Sequence, residues 1–248
     1  MDLTARFAGK TALVTGAGSG IGAATARRLA AEGAHVLVTD VDEAAARQVA
    51  DGLPHATPLH LDITDRAAID RLIGGLPTLD VLVNNALVPF ADDPDENWHR
   101  QLDGTLLGAV HCAQAALPHL AATRGAIVAI GSVNAEASFG DHAYSAAKAA
   151  LGSYTRTLAA EAAPLGVRVN QINPGTIATP AWSGKEKGLA ALADRAYPLG
   201  RVGTPDDIAA AVAFLASPDA AWITATTIRV DGGLLGVNRH FREILDGG

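Results

Sequence analysis

Three polar residues in the middle of the chain have the types and spacing for proton transfer to a substrate oxygen. Tyr144 and Lys148 are four residues apart, so on a helix they lie on one face, one turn apart. A free tyrosine, with a pKa of about 10, is a poor base at neutral pH, and a nearby ammonium lowers that pKa. Ser132, placed at the end of a predicted strand, can hydrogen-bond a substrate oxygen and stabilise charge that develops on it. The pair alone could be an ordinary exposed helix pair, but together with Ser132 it predicts an acid–base site.

A glycine-rich segment near the amino terminus predicts a site for phosphate groups. The predicted strand Thr11–Thr15 runs into Gly16–Gly22, and a helix is predicted from Ile21 to Glu32. Glycines allow a tight turn and let the backbone approach a pyrophosphate, while the helix amino terminus offers free N–H groups. The strand–turn–helix context favours this interpretation over a plain turn.

The end of the second predicted strand bears on which dinucleotide is bound. That strand, His35–Asp40, ends in a carboxylate that can accept hydrogen bonds from the hydroxyls of an adenosine ribose. The same carboxylate would repel a 2′-phosphate, and neither Ser19 nor Val41, which we place beside it, is basic. The sequence therefore predicts NAD rather than NADP as the cofactor, unless Asp40 merely ends a strand.

Apolar segments rich in Val, Ile and Leu alternate with Ala-rich helical stretches along the whole chain. Strands are predicted at Thr11–Thr15, His35–Asp40, Thr57–Leu61, Leu79–Asn84, Ala126–Ser132, Arg168–Asn173 and Thr226–Val230, and helices at Ile21–Glu32, Ala44–Asp51, Ala67–Gly74, Glu96–Leu120, Tyr144–Ala163 and Pro205–Ala216. This alternation predicts an α/β fold, a Rossmann-type doubly wound parallel sheet with helices on both faces, in a single domain spanning 1–248. Residues 178–199 show no clear pattern and are predicted to form an irregular substrate loop.

Composition excludes several classes of protein. The formal net charge is −7, with no basic run that would indicate a nucleic-acid partner. The only cysteine, Cys112, cannot form an internal disulfide, and no Cys/His cluster has metal-ligand spacing. No apolar run approaches the roughly 18 residues of a membrane span, and the amino terminus lacks the long apolar stretch of a secretion signal. We therefore expect a cytoplasmic protein with no metal and no membrane or nucleic-acid partner.

The motifs together resemble those of the short-chain dehydrogenase/reductase family, over about Phe7–Gly233. Residues 15–22 match the family's Thr-Gly-x-x-x-Gly-x-Gly form, and Asn84-Asn85-Ala86 resembles its Asn-Asn-Ala-Gly segment. Tyr144–Lys148 matches its Tyr-x-x-x-Lys motif, and Val230–Gly233 its closing strand. The resemblance implies hydride transfer between NAD(H) and an alcohol or ketone substrate, and assembly as a homo-oligomer, most commonly a tetramer.

The resemblance also implies the membership of the site. The implied catalytic residues are Ser132, Tyr144, Lys148 and Thr105, and the implied cofactor-binding residues are Gly16, Ser19, Gly20, Ile21, Gly22, Asp40, Asp62, Ile63, Asn85, Tyr144, Lys148, Pro174, Ile177 and Thr179. Asp62 and Ile63 would contact the adenine, Asn85 would lie near the adenosine ribose, and Lys148 would reach the nicotinamide ribose. Residues 174–179 would hold the nicotinamide carboxamide.

Two positions depart from the family pattern. Aligned by Trp98 and Gly108, the family's catalytic asparagine, which holds a water in a proton relay, falls on Thr105. A threonine hydroxyl could hold a water but lacks the reach of an amide. Leu87 replaces a glycine, and we expect it to pack against the next helix rather than to narrow the substrate site.

These departures leave alternatives to turnover open. Thr105 is the one feature that favours a non-catalytic dinucleotide sensor, against which the intact Ser132, Tyr144 and Lys148 weigh. A lyase on this fold would usually lose the nucleotide loop, which is complete here. For an enzyme, we expect an uncharged to weakly polar substrate of small or medium size, with Trp182 as an apolar wall.

Overall fold

Seven short strands of mostly Val, Ile, Leu and Ala pair in parallel to form one sheet. In the computed structural model, which describes residues 5–238, they are β1 (Thr11–Thr15), β2 (His35–Asp40), β3 (Ala56–His60), β4 (Val81–Asn84), β5 (Ala126–Ile130), β6 (Arg168–Pro174) and β7 (Thr227–Val230). Their spatial order is β3-β2-β1-β4-β5-β6-β7, and every neighbouring pair is parallel. The predicted Rossmann-type fold is confirmed; residues 1–4 and 239–248 of the predicted domain lie outside the described residues.

The helices connect these strands in the alternating order expected of a doubly wound fold. They are α1 (Gly20–Ala31), α2 (Glu43–Asp51), α3 (Arg66–Gly74), α4 (Pro94–Arg100), α5 (Ala109–Thr123), α6 (His142–Ala162), α7 (Glu186–Arg195) and α8 (Pro205–Ala216), with a π-helical segment at Gln101–Gly108. Several begin at an Asp or Thr whose side chain accepts a hydrogen bond from a first-turn N–H, as Asp42 does for α2 and Thr204 for α8.

The core occupies both faces of the sheet because successive strand residues point to opposite faces. Val14 of β1 joins the apolar layer that includes α1 and α8, while the adjacent Leu13 joins the layer that includes α3, α5 and α6. Both side chains are completely buried. Several of these helices, α1 above all, place alanines on their inner faces, which lets them pack closely on the strands.

The chain order reverses beside β1, with β2 and β3 on one side and β4 to β7 on the other. In sheets of this kind, the loops that follow strands on either side of the reversal diverge and leave a crevice at the carboxyl ends of the strands. The loops after β1, β4, β5 and β6 therefore surround the position where a ligand is expected.

One prediction about the elements is incomplete and another is wrong. The long helix predicted for Glu96–Leu120 is present as one helical run, but its middle part, Gln101–Gly108, is π-helical between α4 and α5. The region 178–199 is not irregular throughout, because it contains a 3₁₀ turn at Pro180–Trp182 and the helix α7. Most other boundaries shift by one or two residues, so that Ser132 follows β5 rather than ending it, and Tyr144 lies in the first turn of α6.

Candidate active site

The turn after β1 is built so that only glycine fits at two of its positions. Gly16 has a φ of 62°, and a Cβ there would lie 2.8 Å from the Cα of Ala86. A Cβ on Gly22 would lie 2.2 Å from the carbonyl oxygen of Gly16. Asn85, which directly follows β4, fixes this turn, since its Nδ2 donates to the carbonyl oxygens of Thr15 and Gly16 at 2.9 Å each. Asn85 thus holds the nucleotide turn in shape.

The first turn of α1 leaves its N–H groups open to a ligand. The side chain of Ser19, at the start of the helix, makes no capping hydrogen bond, and no acidic residue lies in the first turn. The positive end of the helix is therefore unopposed and fits a pyrophosphate. The chain after β6 reaches the same place, because a Cβ on Gly20 would lie 3.2 Å from Cγ2 of Thr179.

Asp40 stands beside this turn at the end of β2. Its Oδ2 accepts a hydrogen bond from the backbone N–H of Gly18 at 2.9 Å, and its Oδ1 accepts one from the backbone N–H of Asp42 at 3.0 Å. The neighbouring side chain, Val41, is 63% exposed and carries no charge. The arrangement leaves a carboxylate where the sequence predicted one, next to the uncharged side chain of Val41.

The remaining predicted cofactor residues lie on the loops that border the crevice. Asp62 and Ile63 follow β3, where the Asp62 Oδ1 accepts hydrogen bonds from the N–H and hydroxyl of Thr64. Pro174 ends β6, and Ile177 forms an isolated parallel bridge with Gly203.

The segment after β6 is also held by a residue that no sequence pattern indicated. The hydroxyl of Tyr197, a buried side chain beyond α7, accepts a hydrogen bond from the N–H of Thr176 at 2.6 Å. This contact fixes the backbone that leads to Ile177 and Thr179.

Tyr144 and Lys148 lie one turn apart on α6, as predicted. The Nζ of Lys148 is 5.6 Å from the centre of the Tyr144 ring and donates a hydrogen bond of 2.6 Å to the carbonyl oxygen of Ile130, at the end of β5. Burial lowers the pKa of Lys148 to about 8. Burial also raises the pKa of Tyr144, an effect that Ser132 opposes and the charge of Asp141 reinforces. Desolvation is the largest cause of the shift and Lys148 is not among the causes, so the expectation that Lys148 lowers the pKa of Tyr144 stays a prediction.

Ser132 is held from two sides by side chains that no sequence pattern indicated. Its hydroxyl donates to Oδ1 of Asn134 at 3.1 Å, and its backbone N–H donates to Oδ1 of Asn173 at 3.2 Å. Asn173 in turn donates to Glu136 at 2.8 Å. These contacts fix the backbone at Ser132, while a substrate oxygen would compete with Asn134 for the hydroxyl.

Thr105 lies in the π-helical segment and is 1% exposed. Its hydroxyl donates to Oε1 of Gln101 at 2.9 Å, and Gln101 is itself completely buried. The amide lacking at position 105 is thus present one turn before it.

An apolar ring lies against Tyr144, and two other apolar side chains, in the loops after β4 and β6, are partly exposed. The ring of Phe90, 54% exposed, meets the Tyr144 ring edge to face with the centres 5.5 Å apart. Leu87 is 51% exposed, and its packing against the next helix stays a prediction. Trp182 is partly exposed, with the Nζ of Lys185 5.6 Å from the centre of its ring.

Residues 5–238 contain neither a candidate metal centre nor a candidate membrane span. Within that range no three His, Cys, Asp or Glu side chains are grouped so that they could hold a metal ion. None of the helices described is both long and apolar enough to cross a membrane.

Comparison with known proteins identifies close relatives over nearly the whole chain. A family model described as enoyl-(acyl carrier protein) reductase matches residues 16–235. Meso-2,3-butanediol dehydrogenase of Serratia marcescens is 37% identical, over 92% of this chain and 95% of the relative. Cis-4-hydroxycyclohexanecarboxylate dehydrogenase of Sinomonas cyclohexanicum is 39% identical, over 93% and 98% of the two chains.

Solved structures agree in fold. A short-chain type dehydrogenase/reductase from Mycobacterium marinum superposes with a TM-score of 0.85 at 31% identity, covering 95% of this chain and 99% of the other. A structure named ribose-5-phosphate isomerase from Brucella melitensis superposes with a TM-score of 0.88 at 38% identity, covering 99% and 98%. That name describes a different reaction, so the family match and the geometry of the site decide what this chain does.

Proposed function

This chain belongs to the short-chain dehydrogenase/reductase family and is an oxidoreductase that transfers hydride, and we propose that it interconverts a secondary alcohol and a ketone with NAD(H). The observation that carries the proposal is the position of Tyr144, Lys148 and Ser132 beside the crevice that the glycine turn and Asp40 also border. The site supports turnover, so neither a non-catalytic sensor nor a lyase is favoured.

The chain's own residues would bind the substrate oxygen and move its proton. The hydroxyl of Tyr144 would donate a proton to that oxygen in the reducing direction and accept one in the oxidising direction. Because burial raises its pKa, Tyr144 holds its proton at neutral pH and is ready to act as the acid. Ser132 would donate a hydrogen bond to the same oxygen in place of its bond to Asn134.

Lys148 would contribute to binding the cofactor, because it lies one helical turn after Tyr144 on α6. Its hydrogen bond to Ile130 fixes the ammonium at the end of β5, where it would hold the hydroxyls of the nicotinamide ribose. When bound, the nicotinamide supplies the hydride or accepts it.

The residues present fit NAD better than NADP. The open first turn of α1 and the glycine turn fit a pyrophosphate, and the Asp40 carboxylate can accept hydrogen bonds from ribose hydroxyls. A 2′-phosphate would meet the Asp40 charge with the uncharged Ser19 and Val41 beside it.

One observation supports a substrate of low polarity, and a second supports a secondary alcohol. Phe90 presents an exposed apolar ring beside Tyr144, and Leu87 and Trp182 would extend this apolar surface. The names of the two relatives, a butanediol dehydrogenase and a hydroxycyclohexanecarboxylate dehydrogenase, both describe hydroxyl groups on secondary carbons.

A cytoplasmic location remains part of the proposal.

The experiment that tests the cofactor assignment measures dissociation constants for NADH and NADPH by fluorescence, and initial rates with both oxidised cofactors on a panel of secondary alcohols. We expect tighter binding and faster turnover with the NAD forms. A double variant, Asp40→Ala with Val41→Arg, should move the preference toward NADPH, since it removes the repelling charge and adds a cation. Tighter binding of NADPH by the wild type would contradict the assignment.

A further inference from the structure

We propose that Gln101 and Asn97 are positioning residues, which hold the catalytic Tyr144 against the substrate-side loop Leu87–Ala91. The inference rests on the proposed role of Tyr144 in proton transfer. In this extension of the proposal, two amide side chains on neighbouring helical turns fix the position of the tyrosine, and neither amide touches the reacting atoms.

Both amides are buried in a region where a polar side chain must have partners. Gln101 is completely buried and Asn97 is 9% exposed. A buried amide without hydrogen bonds destabilises the folded state, so these residues are expected at such positions only if their contacts compensate. The contacts they make lead to Tyr144 from two directions.

The first direction runs through the substrate-side loop. Nε2 of Gln101 donates to the carbonyl oxygen of Val88 at 3.4 Å, and Oδ1 of Asn97 accepts from the N–H of Ala91 at 3.2 Å. The two amides therefore hold the loop on both sides of Phe90, whose ring contacts the ring of Tyr144.

The second direction runs through the start of α6. Nδ2 of Asn97 donates to Oδ2 of Asp141 at 3.1 Å, and Oδ1 of Asp141 accepts from the backbone N–H of Tyr144 at 2.8 Å. Asp141 has a φ of 45°, in the left-handed region that non-glycine residues rarely adopt. Such a conformation persists where surrounding contacts enforce it, and the bond from Asn97 is one of these.

The π-helical segment begins at Gln101, directly after α4, which carries Asn97, so the two amides lie on successive turns of one helical run. The hydroxyl of Thr105 also donates a hydrogen bond to Gln101, which fixes the glutamine side chain. Gly104 lets the segment lie directly on the loop, because a Cβ there would be 2.1 Å from Cγ1 of Val88. Thr105, which replaces the family's asparagine, thus belongs to the same hydrogen-bond network.

The decisive experiment exchanges the two groups that meet at Asp141. The variant Asn97→Asp places two carboxylates against each other, whereas Asn97→Asp combined with Asp141→Asn restores a hydrogen bond with the donor and acceptor reversed. The values of kcat and KM are measured with NAD and the best secondary alcohol from the panel. Each kcat is expressed per folded site, and the number of folded sites is determined by titration with NADH.

We expect Asn97→Asp to lower kcat by about ten-fold, the loss that corresponds to one broken buried hydrogen bond. NADH affinity should stay close to that of the wild type, and the double variant should recover most of the kcat. Gln101→Met, which keeps the volume and removes the amide, should lower kcat in the same way and raise the KM for the alcohol.

A control variant separates positioning from general stability. Thr123→Val removes a 2.8 Å hydrogen bond to the carbonyl oxygen of Leu79, at the far end of α5. It should lower the melting temperature and leave kcat per folded site unchanged.

The outcomes distinguish this inference from the proposed function. If the wild type turns over and Asn97→Asp and Gln101→Met keep the wild-type kcat, the two amides serve only stability and the inference is wrong. The same holds if Asn97→Asp lowers kcat and the double variant does not recover it. A wild type that binds NADH but turns over no alcohol would instead overturn the proposed function.

Discussion

At the scale of single residues, the site depends on burial that shifts the pKa values of its two central groups. Burial raises the pKa of Tyr144 and lowers that of Lys148, so both are shifted toward the uncharged form. Residue types and spacing predicted the pair, but the direction of its pKa shifts depends on how much water reaches each group. Only the fold determines that exposure.

The shift at Lys148 has a measurable consequence for stability. The ordinary pKa of 10.5 applies to the unfolded chain, and about 8 applies to the folded protein. Between these pH values the unfolded chain binds the proton and the folded protein does not, so the wild type gains stability as the pH rises. Below about pH 8 both states are protonated, and Lys148 contributes no pH dependence.

The variant Lys148→Met isolates this contribution, since every other titrating group is shared with the wild type. We expect the stability of the wild type relative to the variant to increase between pH 8 and 10.5, by an amount on the order of 3 kcal/mol. Urea unfolding of the two proteins at several pH values measures the difference. A difference that stays constant over this range would show that burial does not shift the pKa of Lys148.

The candidate site was predictable only where chemistry leaves a local pattern. Asp40 and the glycine turn were predicted because strand, turn and carboxylate follow one another in the chain. Gln101 and Asn173 carried no such signal, since each contacts its partner because of how elements pack. Gln101 faces Thr105 in a π-helical segment, which no residue pattern distinguished from an α-helix.

At the scale of elements, one connection contains an unfavourable residue. Ala225, just before β7, has a φ of 59°, in the left-handed region where a Cβ is crowded and glycine is favoured. It is exposed, so its methyl group contributes little packing, and its N–H donates to the carbonyl oxygen of Val169 at 2.9 Å. The backbone is thus held in this conformation to deliver the chain to the sheet.

We predict that Ala225→Gly stabilises the protein by roughly 0.5–1 kcal/mol, because relief of the left-handed conformation outweighs the extra freedom of the unfolded chain. Equilibrium unfolding in urea measures the change. Ala221→Gly is the matched control: Ala221 is exposed and has a φ of −56°, so glycine there should destabilise. Equal effects of the two substitutions would contradict the explanation.

The elements that could be predicted are those with a clear period. All seven strands and most helices were found, because buried parallel strands are apolar throughout and the helices have an apolar face. The division of Glu96–Leu120 was missed because its apolar residues continue through the π-helical segment. The helix α7 was missed because it is only ten residues long and contains Gly188, which weakens the helical pattern.

At the scale of the whole molecule, the fold brings residues from distant parts of the chain to one crevice. The reversal of strand order beside β1 separates the loops that hold the glycine turn from those that hold Ser132 and Tyr144. This gathering follows from the strand–helix alternation, so the location of the site was predictable where its detailed contacts were not.

Assembly into a homo-oligomer, most commonly a tetramer in the family, remains a prediction. The predicted contact faces are the Ala-rich stretches Trp98–Leu120 and Leu151–Ala163, where small residues leave flat surfaces for pairing across a twofold axis. Trp98, Leu102 and Leu107 are each more than a third exposed on the first of these stretches. We expect sedimentation at micromolar concentration to give a mass four times that of the chain, or twice it for a dimer. A mass equal to that of one chain would contradict the prediction.

The most direct test of the central claim is the effect of Tyr144→Phe on turnover and on NADH binding, measured on the same preparations. The variant keeps the ring that packs against Phe90 and removes only the hydroxyl that is proposed to transfer the proton. The account predicts NADH affinity close to that of the wild type and a loss of turnover by at least about 100-fold, the lower bound expected for acid–base catalysis. Retention of more than about a hundredth of the wild-type rate, with folding and NADH binding intact, would contradict it.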